Sequence, residues 1–194
     1  MSEQPRDLLR KELRQSRNAL STLHISICSR AICANAATLL ADAQHIAGYY
    51  AFGAEVDLST LMSTLESGNK TTYVPVVLPE FLMQFAPVDK KTPVVLNRYG
   101  IKEPQVDSTL YASASLLDAV LVPLVGFDER CNRMGMGGGY YDRCFAHRLG
   151  NDQLPLLIGV AYEMQCVETV HSESWDVPLD YVVTESRVLK RSSQ

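Results

Sequence analysis

Between Leu121 and Arg143 the chain reads LVPLVGFDERCNRMGMGGGYYDR. Gly135, Gly137, Gly138 and Gly139 fall within five residues, Arg133 stands just before them, and Tyr140-Tyr141-Asp142-Arg143 follows. A loop without Cβ atoms lets its backbone approach an anion closely, and the first N–H groups of a helix have no intrahelical partner. Arg133 adds a fixed charge and a planar donor fork. Asp142 has two readings: an acid complementing a helix dipole, or a hard oxygen ligand for a cation carried by phosphates. Together these residues suit the holding and neutralising of phosphate. The glycines alone are equally compatible with a tight turn, and the block matches neither widespread phosphate motif. No Gly-Lys-Ser/Thr ending occurs, and the position five after Gly135 is Tyr140. No Ser/His/Asp or Cys/His arrangement supplies a nucleophile and base.

Such a loop needs rigid elements on both sides. Ala119 to Val125 is apolar throughout, as in a strand buried on both faces, and Tyr140 to Arg148 has helical spacing. Upstream, Arg6 to Ala19 reads as a cationic helix with Leu8, Leu9, Leu13 and Leu20 as its apolar face. Its basic residues are either a solvated face or ligands for phosphate. Ser21 caps a second helix, about Thr22 to Ala41. His45 to Phe52 reads as a strand, and Asp57 as the N-cap of a helix over Leu58 to Glu66. Further strands are read at Thr71 to Val77, Phe81 to Ala86 and Pro93 to Asn97, the last two adjacent in space. Asp107 to Leu117 is a loop with a short helix. Leu154 to Ala161 is a strand, Glu163 to Thr169 a short helix, and Val177 to Thr184 the last strand. The alternation predicts one α/β domain over residues 1–194: a three-layer sandwich with a mainly parallel central sheet flanked by helices. Glu55 then falls at the carboxyl end of a strand, where open α/β sheets bind ligands, although spacing alone leaves it a surface acid.

The 194 residues are 46% hydrophobic, enough for a sizeable core. A net charge of −4 argues against a nucleic-acid surface, so an anionic ligand must be met by local cations. Five cysteines without a C-x-x-C suggest reduced thiols rather than disulfides or zinc, with Cys131 a passive loop residue. No apolar run is long enough for a membrane span, and no apolar segment follows the basic N-terminus as in a signal peptide. A cytoplasmic protein is expected.

The block from Pro123 through Phe127-Asp128, Asn132-Arg133-Met134-Gly135 and Gly137 to Arg143 resembles the 5-formyltetrahydrofolate cyclo-ligase family, also called methenyltetrahydrofolate synthetases. NRYGIKEP before Gln105 and HSESWDVPLDYVVT from His171 to Thr184 extend the likeness over nearly the whole chain. The resemblance implies binding of ATP by Arg6, Arg10, Arg133, Met134, Gly135, Met136, Gly137, Gly138, Gly139, Tyr140 and Tyr141. It implies binding of reduced folate by Tyr50, Glu55, Met136, Gly137, Gly138, Gly139 and Tyr140. Arg133 and Tyr140 become the catalytic residues, and Asp142 and Asp176 the Mg²⁺ ligands, with Asp180 as runner-up to Asp176. Where relatives often carry Lys, this chain has Arg6; where some carry a loop Lys, it has Gly138. The implied activity is ATP- and Mg²⁺-dependent cyclisation of 5-formyltetrahydrofolate to 5,10-methenyltetrahydrofolate through a phosphorylated formyl group. A monomer is expected, with a weak homodimer as the alternative. The rival readings are a non-catalytic folate or nucleotide binder, and a sugar-phosphate isomerase or CoA-transferase on a similar scaffold.

Overall fold

The structure, a computed structural model, describes residues 5–96, 100–150 and 154–192. Two helices open the chain, α1 (Pro5–Asn18) and α2 (Thr22–Leu39), and Ser21 Oγ caps α2 by accepting the His24 N–H at 3.2 Å. Then come β1 (His45–Ala47), α3 (Ser59–Ser67), β2 (Thr71–Val77), β3 (Met83–Val88), β4 (Val94–Leu96) and β5 (Lys102–Pro104). The second half holds β6 (Ala119–Pro123), β7 (Gly126–Phe127), β8 (Arg133–Met134), α4 (Tyr140–Cys144), β9 (Leu156–Val160), β10 (Tyr181–Val183) and β11 (Val188–Lys190).

Among the described residues the main sheet has the order β11-β10-β9-β6-β1-β2-β3. The five central strands run parallel, and β11 and β3 close the edges antiparallel. β6 lies at the middle and shows why its sequence is apolar throughout. Ala119 and Leu121 face the core under α2 and α3, with Ile32, Leu40, Leu61 and Ile158. Val120 and Val122 face the opposite core, with Phe85, Phe127, Phe145 and Leu179. The first face is covered by long helices. The second is covered largely by loops, short turns and α4. The expected α/β sandwich is therefore present, but one of its outer layers is only partly helical.

Several elements differ from expectation for local reasons. β1 stops at Ala47, although the Gly48 N–H still reaches Tyr73 O at 2.9 Å. A Cβ at Gly48 would come 2.6 Å from Met62 Sδ; α3 packs directly on this backbone, and the chain then leaves the sheet toward Glu55. Asp57 does supply a capping bond, Oδ1 to the Ser59 N–H at 2.9 Å, but α3 starts at Ser59 and its cap position is Leu58. Phe81 ends a single turn, Pro79–Phe81, and β4 pairs with β5 in a separate ribbon instead of lying beside β3. The expected end of β4 at Asn97, and the Asn151 expected to close a helix, lie outside the described residues.

The polar stretch after β6 is a hairpin, β7 on β8. Its loop wraps buried Asp128, whose oxygens accept the N–H groups of Arg130, Asn132 and Val170 and the Asn132 amide. The helix expected over Tyr140 to Arg148 breaks after Cys144, where Phe145 turns into the core, and resumes as one turn, Ala146–Arg148. Glu163 to Gln165 is likewise one turn. Val177 and Leu179 bond to Asp142 and to Cys131 O, so only Tyr181–Val183 of the last expected strand joins the sheet. The edge strand β11 was not expected. No helix among the described residues is long and apolar enough to cross a membrane.

Candidate functional site

A cavity of about 660 Å³ opens at the carboxyl end of the parallel strands. Pro123 and Leu124 at the end of β6 form its base, and Val77 and Met83 of the β2–β3 edge form one wall. The loop Gly135–Gly139 with Tyr140, Tyr141 and Asp142 forms a second wall, and α1 lies across the top with Arg6 and Arg10. Glu55 and Asp176 also line it.

Local chemistry fixes the loop. Gly137 and Gly139 have φ of 98° and 65°, values unfavourable for residues with a Cβ. Gly138 is needed for a different reason: a Cβ there would come 2.9 Å from the Tyr140 ring. The Gly138 carbonyl accepts from the Arg143 guanidinium, which lies 4.7 Å over the Phe81 ring and 5.7 Å over Tyr140. Arg10 Nε donates to Gly135 O at 2.9 Å, so α1 and the loop hold one another. Arg10 also pairs with Asp7. Among the described residues, no protein acceptor meets the N–H groups of Gly137 and Gly138. Those donors are available to a ligand.

Two arginine–aspartate pairs face the same space. Arg133 Nη2 donates to Asp142 Oδ1 at 2.5 Å, and the Val177 N–H meets the same oxygen at 3.0 Å. Arg6 Nη2 donates to Asp176 Oδ2 at 2.6 Å, joined by the Glu173 N–H at 2.9 Å. Asp142 Oδ2 and Asp176 Oδ1 accept no bond from the described residues, which leaves one carboxylate oxygen of each for a ligand. Mg²⁺ is usually held by one or two carboxylates together with substrate phosphates and water. Two acids each offering one oxygen fit an ion carried by a nucleotide. They do not make an all-protein cage, and no group of three or more potential ligands is found among the described residues.

Glu55 lies apart from these pairs. Its Oε2 accepts the Phe52 N–H at 3.0 Å and its Oε1 stands 3.7 Å from Arg17 Nη2. Burial pushes its carboxyl above the ordinary value, although the Phe52 bond and Arg17 oppose the shift. Burial also raises the Tyr141 and Tyr49 hydroxyls, so both stay neutral.

Most residues singled out from the sequence thus meet in one cavity: Arg6, Arg10, Glu55, Arg133, Gly135, Met136, Gly137, Gly138, Gly139, Tyr140, Tyr141, Asp142 and Asp176. Three do not. Met134 is buried in the β7–β8 hairpin, because its side chain alternates away from that of Arg133. Tyr50 is half-buried, but the chain has already left the sheet at Gly48 and Tyr50 lies outside the lining. Asp180 lies at the amino end of β10, bound to Arg148 at 2.6 and 2.8 Å. Cys131 is fully buried, and burial pushes its thiol up to about 11, as expected of a passive residue. Arg143, Trp175 and the β2–β3 wall also line the cavity, and no local motif in the sequence marks them as site residues. Arg17 is likewise unmarked by any motif: by sequence it is one more charge of the basic helix, yet it stands beside Glu55.

The docked face of that helix explains the difference. Leu13 and Arg17 are buried, Leu8 is exposed, and Arg6 and Arg10 stand on the same face as Leu13. A Cβ at Gly126 would lie 2.6 Å from Leu13 Cδ1, so α1 seats Leu13 in a notch beside β7. Leu9, Leu13 and Leu20 turn inward together with Arg6, Arg10 and Arg17, so of the expected apolar face only Leu8 is left exposed, and the arginines share the docked side.

An α/β protein with its cavity at the strand ends, walled by a glycine loop and arginines, defines a class of anion-binding enzymes. Comparison narrows it. Residues 2–185 match the 5-formyltetrahydrofolate cyclo-ligase family, and the chain belongs to that family. It is 34% identical over 183 residues to the 5-formyltetrahydrofolate cyclo-ligase of Haemophilus influenzae, which covers 92% of this chain and 97% of the relative. To the enzyme of that name from Escherichia coli K12 it is 36% identical over 148 residues, 75% and 80% of the two chains. The NMR structure of Aquifex aeolicus 5,10-methenyltetrahydrofolate synthetase superposes with a TM-score of 0.80 at 27% identity, covering 98% and 95%. The synthetase from Mycoplasma pneumoniae gives 0.75 at 26% identity, covering 94% and 99%. Membership makes the chain a ligase and sets aside the isomerase, CoA-transferase and non-catalytic readings.

Proposed function

We propose that this enzyme uses ATP and Mg²⁺ to cyclise 5-formyltetrahydrofolate to 5,10-methenyltetrahydrofolate, releasing ADP and phosphate. The observation that carries the reading is the shared cavity: two arginine–aspartate pairs and a glycine loop, and the half-buried carboxylate of Glu55 in the same enclosure. One region suits a triphosphate, and the other suits a ring bearing N–H donors.

The formyl oxygen attacks the γ-phosphorus and ADP leaves, giving an N5-iminium phosphate. N10 then attacks the activated carbon and loses its proton to solvent. The C–O bond breaks and phosphate departs with the bonding pair. No covalent enzyme intermediate is required, so catalysis rests on positioning and charge neutralisation. Arg133, Arg6 and Arg10 take up phosphate charge, and the Gly137 and Gly138 N–H groups hold the transferring oxygens. Tyr140 packs against the folate beside Met136, and neutral Tyr141 supports Arg133 from 5.8 Å. Glu55 accepts hydrogen bonds from the amino and ring N–H groups of the pterin. Asp142 and Asp176 would hold Mg²⁺, whose charge supports the phosphates of the nucleotide. Met134 and Tyr50 take no direct part. The enzyme is proposed to work as a cytoplasmic monomer.

The test follows absorbance of the methenyl chromophore with 5-formyltetrahydrofolate, ATP and Mg²⁺. A rise that stops when ATP is omitted, or in Arg133→Ala, supports the reading. Turnover without ATP would sink it.

A further inference from the structure

The face of α1 that carries Arg6 and Arg10 continues through Leu13 to Arg17, since these positions fall at i, i+4, i+7 and i+11. Arg17 is 5% exposed, which is unusual for an arginine. Its Nη1 donates to Leu124 O at 3.1 Å, on the cavity base, and its Nη2 lies 3.7 Å from Glu55 Oε1. Its Nε is buried with no partner among the described residues. Burying a guanidinium is costly unless its charge is met, and here the carboxylate that meets it is that of Glu55 in the cavity lining. A lysine has one point of attachment, whereas this fork spans the base of the cavity and the folate-side carboxylate at once.

We propose that Arg17 is a positioning residue of the folate subsite: it fixes the Glu55 carboxylate for the pterin and ties that carboxylate to the helix bearing the phosphate arginines. The assignment rests on the functional reading above, in which Glu55 accepts the pterin N–H groups. Arg17 touches neither substrate nor the reacting atoms in this scheme; it acts through Glu55. The groups around Glu55 are few. Arg17 comes from α1, Tyr49 from the segment after β1, and Tyr141 from α4. The Tyr162 hydroxyl, after β9, donates to Glu55 O at 3.3 Å. The tyrosines are neutral at working pH; against the burial that raises the Glu55 carboxyl stand the Phe52 N–H first and then Arg17, the cation among these neighbours. Helix α1 thereby joins the two substrate regions: its first turns face the phosphates and its last turn holds the folate acceptor.

The test measures equilibrium binding of 5-formyltetrahydrofolate without ATP, and of Mg-ATP without folate, across pH. It uses the unaltered enzyme, Arg17→Met, Arg17→Lys, Glu55→Gln and the double variant Arg17→Met/Glu55→Gln. Folate affinity should fall about tenfold or more in Arg17→Met, with ATP affinity changed less than about twofold. The acid limb of folate binding should move to higher pH in Arg17→Met, because Glu55 loses the cation that opposes its burial, and should be absent in Glu55→Gln. In the Glu55→Gln background, adding Arg17→Met should change folate affinity less than about twofold. Arg17→Lys keeps the charge without the fork. It should hold the acid limb near that of the unaltered enzyme while losing part of the affinity, and it serves alone if Arg17→Met does not fold. Equal losses of ATP and folate, or a full effect of Arg17→Met on top of Glu55→Gln, would overturn the assignment; so would an Arg17→Lys enzyme that binds folate as tightly as the unaltered one. An unaltered enzyme that binds no folate would instead overturn the functional reading itself.

Discussion

At the amino end of β10, Asp180 takes four donors: both Arg148 Nη atoms, Arg191 Nη2 and the Leu157 N–H. At the carboxyl end of the same sheet, Asp142 and Asp176 each take one arginine and one backbone N–H, all on a single oxygen. The residue types are the same and the accounts differ. Asp180 is closed and has no capacity for a ligand; Arg148 beside it also holds Pro155 O. The pocket acids are half satisfied and face an open cavity. A saturated carboxylate belongs to the scaffold, and a half-saturated one facing space belongs to chemistry. By this criterion Asp180 drops out as a metal ligand, although it lies only four residues from Asp176.

The largest expected effect breaks the closed end. Asp180→Asn strands a buried Arg148 and should destabilise the fold by about 3–5 kcal/mol in denaturant unfolding. Activity per folded molecule should stay within about twofold, because no phosphate or folate contact is lost. A fall in activity without a fall in stability would erase the distinction between the two ends. Arg133→Ala should do the reverse. It should lower kcat by about 10²–10³-fold, as when one transition-state donor is removed. Its stability loss should be smaller than that of Asp180→Asn, because Asp142 keeps the Val177 N–H and opens to water. Next come Asp142→Asn and Asp176→Asn, which keep shape and remove charge. Each should raise the Mg²⁺ needed for half-maximal rate by about tenfold. If Asp180→Asn shifts that requirement equally, the saturation argument fails.

What could be read from the chain follows the same division. The strand–loop–helix block was legible because its signals are local: an apolar run at Ala119–Val125, glycines at positive φ, and acids and arginines close in sequence. The parallel sheet followed from alternation. β11, the β7–β8 hairpin and the early end of β1 were not legible. They depend on distant partners: Tyr181–Val183 for β11, and Met62 of α3 against Gly48 for β1. Arg17 shows the limit most clearly. A run of arginines usually signals solvent, whereas here Arg17 shares the docked face with Leu9, Leu13 and Leu20. The 6-10-13-17 spacing was present in the sequence, but only the packing of Leu13 on Gly126 and the approach to Glu55 reveal that this face is docked.

Acidification should separate the two ends by sign, with the smallest effects. At Asp180 burial opposes ionisation, but the Arg148, Leu157 and Arg191 bonds outweigh it and hold the carboxyl below its ordinary value. Its stabilisation is therefore present above the unfolded pKa, about 3.9, and is lost as pH falls through the lower folded value. Glu55 behaves oppositely. Burial raises its folded pKa above the unfolded value of about 4.3, so the folded state binds a proton first, and acidification through that window adds stability. Under the proposed function, folate binding should be lost in the same window, because the proposed acceptor Glu55 is neutralised. From neutral pH downward, the melting temperature contributed by these two groups should first rise slightly as affinity falls, and then drop. Scanning Tm against pH in the unaltered enzyme, Glu55→Gln and Asp180→Asn checks this. Glu55→Gln should remove the rise and leave the drop, and Asp180→Asn should flatten the drop and leave the rise. A rise that survives in Glu55→Gln would mean that another group titrates there, and that Glu55 does not carry the cost of forming the pocket.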